Sequence, residues 1–308
     1  MIEVAADPRT ELIEQLARLK EERKAVVLAH NYQLGEVQDV ADFVGDSLEL
    51  SQRATEVEAE VIVFCGVMFM AETAKILNPQ RTVLIPDPRA GCPMCEMAPV
   101  EEVRKRKAEL PGVPVVAYVN TTAAVKAEVD ICCTSANAVK VVNSLPDRRV
   151  LFLPDKNLGL WVQRHTEKEI ILWNGYCPTH QRIMAHDVRR LKEKHPEAVV
   201  IVHPECTPDV IDLAHEVLST GQMIRWARQA AAREVIVGTE VGLIHRLKVE
   251  NPEKTFIPIS FLTTCPNMKR ITLEKVVWAL EDMQHPVEVP EEITARARRA
   301  IERMLEAV

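Results

Sequence analysis

Twelve short apolar runs, rich in β-branched residues, punctuate the chain, and the stretches between them carry apolar positions at helical spacing. Val26-Val27-Leu28-Ala29-His30, Val115-Val116-Ala117-Tyr118 and Val199-Val200-Ile201-Val202-His203 each open a set of four runs. The second runs are Asp42-Phe43-Val44, Asp130-Ile131-Cys132-Cys133 and Glu216-Val217-Leu218; the third are Val61-Ile62-Val63-Phe64, Val150-Leu151-Phe152-Leu153 and Val235-Ile236-Val237. The fourth are Thr82 to Pro86, Ile170 to Trp173 and Thr255 to Ile259. Helical patterns precede each set: Thr10 to Lys24, with Leu12, Ile13, Leu16 and Leu19 on one face, then Glu101 to Leu110 and Asp187 to Lys194. Strands that are apolar throughout and separated by helices read as parallel strands covered on both faces, because parallel neighbours need crossover connections. The expected fold is α/β, with three αβα units of three layers, each around a mostly parallel four-stranded sheet.

The sets repeat in register. His30, Tyr118 and His203, which end the first runs, are 88 and 85 residues apart. Ser47, Ser135 and Ser219 follow them by 17, 17 and 16 residues. Cysteine is followed by proline three times, at Cys92, Cys177 and Cys265, with intervals of 85 and 88, each pair lying after a fourth run. Internal periodicity of this kind constrains the whole architecture. It divides the chain into unit one at 10–98, unit two at 99–184 and unit three at 185–271, related by pseudo-threefold symmetry. Two final helices, Leu273 to Gln284 and Glu291 to Leu305 within 272–308, are expected to pack around unit one.

Composition narrows the function classes. The 308 residues are 47% hydrophobic and 27% charged with a net charge of −7, so no basic stripe for nucleic acid is expected. The first eight residues lack the basic start and apolar core of a signal peptide, and no apolar run of membrane-spanning length occurs. A cytoplasmic protein without membrane partners is expected. In a reducing compartment eight cysteines read as free, metal-bound or catalytic rather than disulfide-linked. Glycine-rich phosphate loops are absent, which argues against ATP or a dinucleotide.

Chemistry-bearing residues gather where parallel sheets place their ligands, beyond the carboxyl ends of strands. These are His30, Ser47 and Cys92 in unit one; Tyr118, Asn120, Ser135 and Cys177 in unit two; and His203, Glu205, Ser219, Thr220 and Cys265 in unit three. Threefold packing would bring them to one cavity, where Cys92, Cys177 and Cys265 would present three thiolates to a metal centre. Cys65, Cys132 and Cys133, inside apolar runs, read as packing. Cys95, three residues after Cys92, leaves open a zinc half-site or a redox dithiol, and Cys206 is a weaker candidate ligand. His180, three residues after Cys177, suits a cap or a place beside the metal. The three serines precede helices and suit N-caps or anion binding at helix N-termini.

These residues resemble the quinolinate synthase family of iron-sulfur enzymes. Ala29-His30-Asn31-Tyr32-Gln33, Gly45-Asp46-Ser47, Tyr118-Val119-Asn120, Cys133 to Ala138, Pro154 to Gly159, His203-Pro204-Glu205-Cys206, Ser219-Thr220-Gly221 and Cys265 to Lys269 carry the resemblance, in order, over nearly the whole chain. It implies a four-iron four-sulfur (4Fe-4S) cluster on Cys92, Cys177 and Cys265, with one iron open to act as a Lewis acid. The implied reaction condenses iminoaspartate with dihydroxyacetone phosphate to quinolinate, in NAD biosynthesis, with loss of phosphate and two waters. His30 and Ser47 would bind substrate carboxylate, and Tyr118, Asn120, Ser135, His203, Glu205, Ser219 and Thr220 would complete the pocket. Glu205 would be the proton-transfer base, with Tyr118 as its partner, His203 beside it and Tyr32 closing over the substrate. L-aspartate oxidase, the source of iminoaspartate, is the candidate protein partner. Other readings are a different cluster-dependent hydro-lyase of small dicarboxylates, an iron-sulfur redox sensor or electron carrier with four protein ligands, and a zinc-stabilised binding protein.

Overall fold

A computed structural model describes residues 8–307. Twelve strands form three sheets of four. The first holds β1 (Ala25–His30), β2 (Phe43–Gly45), β3 (Val61–Cys65) and β4 (Thr82–Leu84). The second holds β5 (Val115–Tyr118), β6 (Ile131–Cys133), β7 (Arg149–Leu153) and β8 (Glu169–Leu172). In the third are β9 (Val199–Val202), β10 (Glu216–Val217), β11 (Glu234–Gly238) and β12 (Thr255–Pro258). Their orders are β2-β1-β3-β4, β6-β5-β7-β8 and β10-β9-β11-β12, so one topology occurs three times, and every pairing between these strands is parallel. Helices flank each sheet, giving the expected α/β fold of three αβα units.

Burial on both faces explains why the runs are apolar throughout. Alternate residues of the third sheet enter two separate clusters, Val200, Val202 and Ile236 on one face and Ile201, Val235 and Val237 on the other. Each such side chain contributes about 1.5–3 kcal/mol relative to an exposed one. Leu28, Ile62, Phe152, Val277 and Ile301 belong to a larger cluster that runs through the first two units and the C-terminal helices.

Helix ends differ from the expected ones where the backbone turns left-handed. The first helix runs Pro8–Glu22 and stops before Lys24, whose φ is 47°. The helix expected to reach Gln284 is Leu273–Glu281, followed by Met283 and His285 at φ 51° and 57°, values a right-handed helix does not continue. The C-terminal helices also do not both wrap unit one. Leu273–Glu281 packs on Pro8–Glu22 and β3, but Glu291–Glu306 lies against Ala123–Lys126 and β6 of the second sheet and Met68–Leu77 of the first. Its buried stripe Ala297, Ala300, Ile301 and Met304 has helical spacing, and Arg303 and Arg298 donate to the carbonyls of Asp130 and Leu77, each at 2.6 Å. One amphipathic face therefore ties two units together. No described helix is long and apolar enough to cross a membrane.

Candidate functional site

The carboxyl ends of the three sheets meet at one cavity of about 260 Å³. Its lining includes His30, Tyr32, Ser47, Cys92, Tyr118, Asn120, Ser135, Cys177, His203, Glu205, Thr220 and Cys265, so twelve sequence-derived candidates from three units share one space. Ser219 is not among the lining residues. It is fully buried, accepts from Gln222 N as the N-cap of Thr220–Gln229, and donates to Asp46 Oδ2 at 3.1 Å. Ser47 is the first residue of Ser47–Glu56, whose N-cap is Asp46. Ser135 lies in the turn before Ala138–Ser144, and Asn137 is the residue at the cap position there. Only Ser219 of the three serines is therefore an N-cap.

At the centre, Tyr118 donates to Glu205 Oε1 at 2.5 Å, and His180 Nδ1 lies 2.7 Å from Glu205 Oε2. His180 stacks on His203 with centroids 4.7 Å apart, and its Nε2 lies 2.9 Å from Thr239 Oγ1. The Tyr32 hydroxyl reaches the same threonine oxygen at 2.5 Å. His203 Nε2 meets Ser135 Oγ at 3.1 Å, and its Nδ1 accepts from the Glu205 amide at 3.3 Å. His30 Nδ1 accepts from the Tyr32 amide at 3.1 Å, which leaves Nε2 as the nitrogen that carries the proton. Thr220 Oγ1 accepts from Asn31 Nδ2 at 3.0 Å. The Asn120 side-chain oxygen is buried on the cavity lining with no hydrogen-bond partner.

Burial sets the charge states. It pushes His30 and His203 down to about 3, so both are neutral near pH 7. Burial and the Glu205 charge raise Tyr32 and Tyr118 well above the usual phenol range, which keeps both hydroxyls protonated. Burial also opposes ionisation of Glu205, yet His180 and His203, with hydrogen bonds from His180 and Tyr118, hold it below the usual carboxylate range. Because His203 is neutral, the hydrogen bonds from His180 and Tyr118 are the contacts that keep this carboxylate ionised. The result is a buried anion with a phenol on one oxygen and an imidazole on the other.

Cys92, Cys177 and Cys265 are half-buried and free, one on the loop after β4, β8 and β12 respectively. Burial raises Cys177 and Cys265; a hydrogen bond with Cys95, then burial, raises Cys92. Two carboxylates after the third strands brace these loops. Asp155 Oδ2 accepts from the Cys177 amide at 3.1 Å while its Oδ1 caps Lys156–Gln163, and Glu240 Oε1 accepts from the Cys265 amide at 2.9 Å. Lys269 pairs with Glu240 at 3.0 Å. Among the described residues, the group compact enough to hold a single metal ion is Cys177, His180 and Glu205, whose ligand atoms lie within 4.8 Å of one another. Cys95 and Cys206 are buried away from the cavity lining, and Cys65, Cys132 and Cys133 are fully enclosed in the core.

Sequence reasoning did not single out Asp155, Thr239, Glu240 or Arg182. The strand-end rule, applied to the third strands, finds the first three, since β7 and β11 end just before them.

Comparison with known proteins agrees with the site. The model of the quinolinate synthetase A protein family matches residues 14–306. The chain is 61% identical over 297 residues to the quinolinate synthase of Dehalococcoides mccartyi, covering 96% of this chain and 98% of that one. It is 55% identical over 294 residues to the quinolinate synthase of Thermodesulfovibrio yellowstonii, covering 95% and 97%. To quinolinate synthase 1 of Methanosarcina acetivorans it is 54% identical over 297 residues, covering 96% and 98%. A match over this much of the chain, together with three sheets converging on three cysteines and an ionised glutamate, has one meaning: the chain belongs to the quinolinate synthetase A family.

Proposed function

We propose that this protein is a quinolinate synthase that condenses iminoaspartate with dihydroxyacetone phosphate, releasing phosphate and two waters. The observation that carries the reading is Glu205, an ionised buried carboxylate held between Tyr118 and His180 in a cavity that three cysteine loops close.

The donor set suits a cluster on Cys92, Cys177 and Cys265. All three thiols line one cavity, none is in a disulfide, and together they are not drawn within the 4.8 Å that a single-ion group would need. Such a 4Fe-4S cluster supplies a Lewis-acidic iron to a substrate oxygen or nitrogen.

The chain's own residues divide the remaining work. Glu205 takes a proton from carbon beside a leaving hydroxyl, since it is ionised and faces the cavity. Tyr118, protonated and 2.5 Å from that carboxylate, donates to oxygen or nitrogen as charge develops. His30 is neutral and carries its proton on Nε2, so it donates to a substrate carboxylate without a full charge. Ser47 and Thr220 open the helices Ser47–Glu56 and Thr220–Gln229, whose N-termini favour carboxylates. The unpartnered Asn120 oxygen accepts from a substrate hydroxyl or imine N–H, and Ser135 holds His203 in place. Tyr32, anchored on Thr239, closes one wall of the cavity. Ser219 contributes as the cap that presents Thr220. L-aspartate oxidase would supply iminoaspartate, and the reaction belongs in the cytoplasm, where reduced thiols keep a cluster intact.

The test is quinolinate formation by protein purified and reconstituted without oxygen, given dihydroxyacetone phosphate and freshly generated iminoaspartate. No product from protein that holds four irons per chain refutes the reading. A second reading, a mononuclear ion on Cys177, His180 and Glu205, follows from the compactness of that group. One metal and no acid-labile sulfide per chain would favour it.

A further inference from the structure

Arg182 is the one lysine or arginine on the cavity lining, and its guanidinium forms no hydrogen bond or ion pair with any described residue. Each acid on the same lining is already engaged. Asp46 accepts from two amides of its own helix and from Ser219; Glu205 is held by Tyr118 and His180; Glu240 is held by Lys269 and the Gly242 amide. Arg182 is thus an exposed cation on the lining of a cavity whose other formal charges are negative and spoken for.

Its backbone is fixed. The residue ends the short 3-10 turn His180–Arg182, and its amide donates to Thr179 O at 3.2 Å. On one side of it Gln181 N bonds Cys177 O at 2.9 Å, and on the other Ile183 is fully buried. The turn that sets His180 against Glu205 therefore also sets the origin of the Arg182 side chain, while the exposed side chain keeps its freedom at the cavity's edge.

A multiply charged substrate entering this cavity meets Asp46, Glu205 and Glu240, and unscreened repulsion from buried acids opposes it. A guanidinium offers parallel N–H donors that match the oxygens of a phosphate. We propose that Arg182 receives the phosphate group of the phosphorylated three-carbon substrate, orienting it so that its carbon chain points inward to Glu205 and Tyr118. The proposal rests on the reading of the protein as a quinolinate synthase, and it assigns the phosphate, rather than a carboxylate of the nitrogen-bearing substrate, to this residue.

Two measurements test it, both on cluster-loaded protein whose iron content matches the wild type. In steady-state assays, Arg182→Gln should raise KM for dihydroxyacetone phosphate by about 10- to 100-fold, the range expected for losing hydrogen bonds to a charged group, with KM for iminoaspartate changed less than about twofold. Arg182→Lys should fall between, because a point charge replaces the fork. A KM for dihydroxyacetone phosphate that does not move overturns the proposal, and so does a rise confined to iminoaspartate, which would give Arg182 to a carboxylate. The second measurement needs no turnover. Phosphorus NMR of inorganic phosphate should show line broadening by wild-type protein that Arg182→Gln abolishes; equal broadening by both refutes the assignment. If no quinolinate forms with either protein but the broadening still depends on Arg182, the phosphate site stands and the reading of the reaction fails.

Discussion

Glu205→Gln tests the centre of the site, because it removes a charge and leaves the shape of the side chain. In the wild type, Oε1 accepts from Tyr118 at 2.5 Å and Oε2 lies 2.7 Å from His180 Nδ1. Glutamine has one acceptor and one NH₂ donor, so one of these contacts must pair donor with donor or reorganise. A hydrogen bond to a charged group is worth about 1.5–3 kcal/mol, but the structural loss is softened because a buried ionised carboxylate no longer has to be desolvated. The catalytic loss has no such offset. A positioned general base contributes about 10²- to 10⁴-fold, which at about 1.36 kcal/mol per decade is about 3–5 kcal/mol of barrier. Quinolinate formation, measured by chromatography on oxygen-free reconstituted protein, should fall by at least about 10²-fold while iron content, visible absorption and melting temperature stay close to wild type. The wild-type rate should also show no acid limb from Glu205 near neutral pH, since its folded carboxyl titrates below the ordinary range. A glutamine variant with full iron and a rate within about twofold of wild type would remove Glu205 from the proton transfer.

Ligand identity is checked by iron analysis: Cys92→Ala, Cys177→Ala and Cys265→Ala should each lose the cluster, while Cys95→Ala and Cys206→Ala, which sit off the cavity lining, should retain it. Iron retained by Cys92→Ala and lost from Cys95→Ala would move the ligand three residues along. Acid stability should report the neutral histidines. His30 and His203 titrate near 3 when folded against about 6.5 unfolded, so the unfolded chain takes up protons first and stability falls as pH drops from 6.5 toward 3. At about 1.36 kcal/mol per pH unit, each costs about 2 kcal/mol by pH 5; His203→Gln should flatten the fall in melting temperature of metal-free protein, and an unaltered slope would count against the burial argument. Ser219→Ala should cost about 1–3 kcal/mol of stability, from the lost N-cap and the lost bond to Asp46, with unfolding in urea as the readout. A large rise in KM with unchanged stability would instead make Ser219 a direct substrate contact.

Much of this architecture was legible from local pattern. Each apolar run became a strand within a residue or two, because a strand buried on both faces admits few polar residues and is bounded by the turns around it. The register of His30, Tyr118 and His203 with the three Cys-Pro pairs survived because a repeated topology repeats its strand ends. Errors fell where local pattern carries no information about distant neighbours. Ser47 and Ser219 follow their strands at similar offsets, yet Ser47 lines the cavity while Ser219 is turned into a cap against Asp46. His180 looked like a cap or a neighbour of the metal, and its contacts to Glu205, Thr239 and Tyr32 come from three other segments. The helix Glu291–Glu306 has an unmistakable apolar stripe, but nothing in that stripe says which unit it will cover.

The sequence by itself determined the elements, their threefold repetition and the chemical types available at the strand ends, because strand and helix periods and the spacing of a duplicated unit are written along the chain. Only the tertiary structure decided which of those groups face each other. The carboxylate of Glu205 is ionised and His203 is neutral because segments up to 207 residues apart, as in the bond between Tyr32 and Thr239 at the wall of the same cavity, pack against one another. Charge state and pairing depend on burial and on neighbours in space, and those are properties of the packed units rather than of any one stretch of chain.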